Sequence, residues 1–70
     1  MAKNYLLDFR GAILDYTKAI EIIPNFSEAY FCRGMTKIAL NRKEDGCLDL
    51  RKAGELGDAV AYEYIKKYCQ

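Results

Sequence analysis

Cys32, Cys47 and Cys69 are the side chains of this 70-residue sequence best able to do chemistry, and their number and spacing assemble no familiar site. The count is odd and no Cys-x-x-Cys pair occurs. Without any histidine, the commonest zinc and haem ligand sets are missing, so neither metal nor cofactor is expected. The same absence excludes a Ser-His or Cys-His nucleophile. Three reduced, half-buried thiols acting as small hydrophobes are the expectation. Glu44 and Asp45 are adjacent, so on a helix they point about 100° apart, a poor acid–base pair but a favourable charge for a helix start. Gly54-Glu-Leu-Gly57 follows a helical stretch and lacks the spacing of a phosphate loop. No catalytic residue is expected, and the chain is not read as an enzyme.

Charge and hydropathy narrow the partners. Eleven basic and ten acidic residues nearly cancel, which points away from nucleic acid and from membrane surfaces. Hydrophobic residues make up 51%, yet no apolar run reaches the ~20 residues of a membrane helix. The opening Met-Ala-Lys-Asn-Tyr-Leu-Leu lacks the apolar stretch of a signal peptide, so a cytoplasmic location is expected.

What remains is a chain that works by shape, and its elements are legible. Ala12, Tyr16, Ala19, Ile20 and Ile23 form one apolar helical stripe between Asp8, the expected N-cap, and Pro24, which lacks an N–H and stops the helix. Asn25 with Glu28 three residues on suggests a capping box for the next helix, from about Phe26 to Leu40. Tyr30 and Gly34 would there combine a large side chain with a close-approach point. Asn41 suits a left-handed helix end, whereas Arg42 stands at a cap position it cannot fill. A third helix runs from Lys43 to about Leu56, weakened by Gly46 and Gly54 at roughly 1 kcal/mol each. Gly57 and Asp58 then close it and cap a fourth, about Ala59–Tyr68, with Tyr62, Ile65 and Cys69 on one stripe. The core is expected at Tyr16, Ala19, Ile20, Tyr30, Gly34, Leu50 and Ala53.

Shifting the sequence by 34 reveals a repeat. Met1, Lys3, Leu6, Leu14, Asp15, Lys18, Ala19, Glu21 and Tyr30 fall on Met35, Lys37, Leu40, Leu48, Asp49, Lys52, Ala53, Glu55 and Tyr64, nine identities in 36 ungapped positions. Together with Ala12, Tyr16, Ala19, Pro24, Tyr30 and Gly34, this pattern resembles the tetratricopeptide repeat, a helix-turn-helix unit of 34 residues. The resemblance implies an all-α fold of antiparallel helical hairpins, an α-solenoid fragment. Residues 1–24 would be a first unit lacking the front half of its first helix, residues 25–57 a second unit, and residues 58–70 a capping helix.

In the family that this chain resembles, the first helix of each unit lines a concave groove. Carried over, the partner-binding positions are Asn4, Tyr5, Glu28, Phe31, Cys32, Met35, Ile38 and Ala39, with Tyr62 and Lys66 as further candidates. Phe31, Met35 and Ile38 lie at i, i+4 and i+7, so they are either an open apolar stripe or one covered by a neighbouring helix. Members that hold a terminal carboxylate use asparagines and basic side chains here. Cys32, Met35 and Glu28 replace them, which argues against that ligand. RNA-binding helical repeats would place basic residues on this face, where apolar ones stand. Arg33 and Lys37 replace apolar residues, and their stems are expected to cover the core while their charges reach water.

Two functions follow. The first is a protein–protein interaction module that binds a peptide or partner helix in a shallow groove. The alternative is a minimal repeat that self-associates, most simply as a homodimer, because only Ala2–Leu7 would cover the helix beginning at Phe9, leaving apolar surface near Tyr5, Leu6 and Ile13. That dimer would form either by surface packing or by exchange of helices across the Asn41–Lys43 turn.

Overall fold

Four helices follow one another through residues 8–69, the part of the chain that this computed structural model describes: α1 (Phe9–Ile22), α2 (Ser27–Ala39), α3 (Lys43–Glu55) and α4 (Ala59–Tyr68). The described residues contain no strand, and the fold is all-α. Residues 23–26, 40–42 and 56–58 separate the helices, at the breaks that Pro24, Asn41 and Gly57 predict.

The caps explain most of these boundaries. Asp8 Oδ1 accepts from the Gly11 N–H at 3.0 Å and starts α1. Asn41 adopts a left-handed φ of 66°, its N–H donating to the Ile38 carbonyl while the Arg42 N–H reaches Lys37, so the last carbonyls of α2 are used. Gly57, at φ 111°, closes α3 in the same way, and Asp58 Oδ1 accepts from the Val60 N–H at 3.1 Å to cap α4. The start of α2 departs from expectation. Phe26, not Asn25, occupies the N-cap, and no side chain caps the helix. Asn25 stays exposed in the turn after Pro24, whereas the half-buried Phe26 supplies its carbonyl to the N–H groups of Ala29 and Tyr30. Apolar anchoring replaces the capping box there.

The core sits further along the chain than the stripe of α1 suggests. Ala29, Leu50, Ala53 and Ala61 are its buried apolar centres, with Leu50, Ala53 and Ala61 fully enclosed, and Gly34, Gly46 and Gly54 are buried beside them. Of the expected core, Gly34, Leu50 and Ala53 are buried. Tyr16, Ala19, Ile20 and Tyr30 are only half-buried, and no residue of α1 is buried. The physical reason is the order of packing. Helices pack on their neighbours in sequence, so α2 and α3 are each covered on two sides and α1 chiefly by α2.

Glycine sets the closest of these contacts. A methyl group added to Gly34 would stand 2.7 Å from the Gly46 carbonyl oxygen, and one on Gly46 would stand 2.5 Å from that of Gly34. The two backbones therefore touch, and the propensity that Gly46 forfeits is returned as close α2–α3 packing. Gly54 plays the same part for α4, its Cα lying under the ring of Tyr62.

Candidate functional site

Met35 is the middle of the face on which the sequence places a groove. On α2 it is flanked by Glu28, Phe31, Ile38 and Ala39 at helical spacings that share one side. Glu28 and Ala39 are exposed, and Phe31, Met35 and Ile38 are half-buried. Phe31 turns toward α4 and meets Tyr64 edge to face, with ring centroids 5.3 Å apart. Tyr64 in turn stacks on Tyr68 at 6.1 Å, the two rings being parallel within 2°. Ile38 lies on the other flank, against Gly46 of α3.

Cys32 borders the same face on the side of α1. Burial first, and the neighbouring Cys32 thiol second, raise the Tyr16 hydroxyl above its ordinary pKa. The expected positions thus divide into exposed ends (Glu28, Ala39), a half-buried Met35 between them, and half-buried flanks that lean on α4, α3 and α1 (Phe31, Ile38, Cys32). Both earlier readings of the apolar stripe hold in part, since it is neither wholly open nor wholly covered. Tyr62 packs over Gly54 of α3 while remaining half exposed, and Lys66 is exposed. Asn4 and Tyr5 lie outside the described residues.

Sequence reasoning missed the aromatic wall of Tyr64 and Tyr68. Its signal was present, because Tyr64 is the repeat partner of Tyr30 and Tyr68 lies one turn beyond it.

It also mistook Arg33 and Lys37, whose charges turn inward onto Asp49 while the side chains stay only 17% and 15% exposed. Arg33 grips Asp49 of α3 with two bonds, Nε to Oδ2 at 2.8 Å and Nη2 to Oδ1 at 2.9 Å. Its Nη1 donates to Thr17 Oγ1 of α1 at 3.1 Å, so one side chain ties three helices together. Lys37 Nζ adds a contact of 3.1 Å to Asp49, a residue only 6% exposed. The bond to Asp49 raises the Arg33 pKa further above its already high value, and the guanidinium also lies 5.4 Å over the Tyr30 ring. Arg33 and Lys37, one turn apart, both face Asp49, the only buried acid among the described residues.

The cysteines overturn a second expectation. Cys47 and Cys69 form a disulfide with their Cα atoms 5.9 Å apart, and Cys32 alone is a free thiol. Once α3 and α4 form a hairpin, the 22-residue separation brings the second turn of α3 beside the end of α4. Linear spacing does not reveal that juxtaposition. A surface cleft of about 490 Å³ adjoins the bond, lined by Lys43, Glu44, Cys47, Leu48, Arg51 and Cys69. Among the described residues, no three His, Cys, Asp or Glu side chains converge as a metal site requires, and no helix is long and apolar enough to cross a membrane.

Comparison of the chain with protein-family models, curated proteins and solved structures finds no match in any of the three.

Proposed function

We propose that this chain is a tetratricopeptide-like helical repeat that acts as a protein–protein interaction module, binding a peptide or partner helix on the face of α2 centred on Met35. One observation carries the reading: Met35 is a half-buried apolar side chain between the Phe31–Tyr64–Tyr68 wall and exposed Glu28 and Ala39. A partner adding an apolar anchor there completes the burial of Met35 and Phe31, and Glu28 provides a polar rim. Support for the repeat comes from the 34-residue identities and from the starts of α1 at Phe9 and α3 at Lys43, one period apart.

The test is a peptide-library selection read by fluorescence polarisation. Peptides selected on the native chain should lose at least about tenfold in affinity for Met35→Glu, as expected when a charge enters an apolar contact, with the helical circular dichroism unchanged. Selected peptides that bind Met35→Glu as tightly as the native chain would place the interaction elsewhere.

Self-association is the second reading. It is favoured by Leu14, Ile22 and Ile23, which are 65%, 78% and 50% exposed on and just after α1. The disulfide also bears on location. Such bonds persist in oxidising compartments, so Cys47–Cys69 favours one of these over the cytoplasm expected from the sequence.

A further inference from the structure

We propose that Cys47–Cys69 is a thiol-exchange site whose redox state controls how firmly α4 is held, and that the adjoining cleft selects anionic thiols. Three observations converge on this. First, both cysteines line the cleft but differ in exposure: Cys47 is 8% exposed within α3, whereas Cys69, at the end of α4, is half-buried. An entering thiolate therefore reaches the Cys69 sulfur first. Second, Lys43 and Arg51 stand four residues either side of Cys47, on its own helical stripe, and both line the cleft. Two cations at that point draw in a negatively charged thiol and stabilise the Cys47 thiolate as it departs, with Glu44 the one opposing charge on the lining. Third, α4 is otherwise a ten-residue helix that buries Ala61, lays Tyr62 over Gly54 of α3 and sets Tyr64 against Phe31 of α2. Beyond the backbone turn of residues 56–58, the disulfide is the one covalent tie between α4 and α3.

The exchange is balanced as follows. A thiolate RS⁻ attacks the Cys69 sulfur, forming an RS–Cys69 mixed disulfide and breaking the Cys47–Cys69 bond. Cys47 leaves as a thiolate and takes a proton from water. A second RS⁻ attacks the outer sulfur of the mixed disulfide, releases the Cys69 thiolate and leaves RSSR. Two thiols are oxidised while the protein disulfide accepts two electrons. With a scarce thiol the Cys47 thiolate can return to the Cys69 sulfur and expel RS⁻, so prompt alkylation of Cys47 is what holds the mixed disulfide, a modification of Cys69.

The test uses the whole 70-residue chain with reduced glutathione, an anionic thiol, and cysteamine, a cationic one. Alkylation and mass analysis should count one free thiol before reduction and three after it, with limiting glutathione trapped on the Cys69 peptide. Three free thiols in the untreated oxidised preparation, or trapping on Cys47, would overturn the assignment. Lys43→Glu combined with Arg51→Glu should slow glutathione and accelerate cysteamine; equal effects on both would remove the selective role of the cleft. Hydrogen exchange reads the control of α4 without invoking any peptide partner. Amides of α4 should exchange faster by on the order of a hundredfold after reduction, the loss expected from opening a loop of this length, while those at the α2–α3 contact change little. Cys69→Ser should reproduce that pattern without reductant. Unchanged α4 exchange in both cases, or uniform acceleration through all four helices, would refute it.

Discussion

Asp49 is the residue on which three helices converge. Its carboxylate is nearly enclosed, receives both arms of Arg33 and the Lys37 ammonium, and is linked through Arg33 to Thr17 of α1. Removing a partner from a buried ion pair strands the remaining charges, and here two cations share one anion. Asp49→Ala should therefore cost about 3 kcal/mol, the lower end of the range for breaking a buried pair because both cations keep some contact with water. Lys37→Met should cost far less, since the bidentate Arg33 bond survives. Urea unfolding of the two variants checks the order, and equal losses would mean that the network is not centred on Asp49. The sequence contains Asp49 as the repeat partner of Asp15, yet Asp15 is exposed and Asp49 buried. Identical letters a period apart do not state which of them a neighbouring helix will cover.

At the scale of elements, local chemistry makes the boundaries readable. Pro24, Asn41, Gly57, Asp8 and Asp58 each act through their own backbone or side chain, so the breaks and two caps can be read without tertiary context. Contacts between helices are less readable, because Gly46 reads as a weakness until Gly34 is found opposite it. Gly34→Ala tests that contact. Alanine improves intrinsic helix propensity by about 1 kcal/mol, but its methyl group would lie 2.7 Å from a backbone oxygen that cannot rotate away. Overpacking should win, giving a net loss of about 1–3 kcal/mol. A raised melting temperature would show that α2 and α3 can separate without penalty. The candidate face divides in the same way: the α2 positions follow from helical spacing, whereas the Tyr64–Tyr68 wall depends on how α4 swings back toward Phe31.

The whole molecule is thin, with principal extents of 32, 27 and 16 Å, and its helices are stacked in sequence order. Among the described residues, that arrangement leaves α1 with one principal partner and an exposed row ending in Ile22, the most exposed large apolar side chain there. If self-association uses this row, light scattering should report twice the 8.0 kDa chain mass at high concentration, and Ile22→Glu should return it to one. A native chain that stays monomeric would dismiss the α1 interface. The order of stacking was legible from the 34-residue period and so was the thin cover of α1, but the exposed side chains were not: Leu14, Ile22 and Ile23 stand open where Ile13 was expected, because a stripe records which side wants cover and not where cover arrives. A row of helices in which each touches chiefly the next behaves like a line of dominoes. A disturbance at α4 reaches α1 by way of α2, either through α3 or across the Phe31–Tyr64 contact, and fades at every step. Arg33 shortens that line by spanning α1, α2 and α3 with one side chain, so the first three helices should fall together while α4 is left to fall alone.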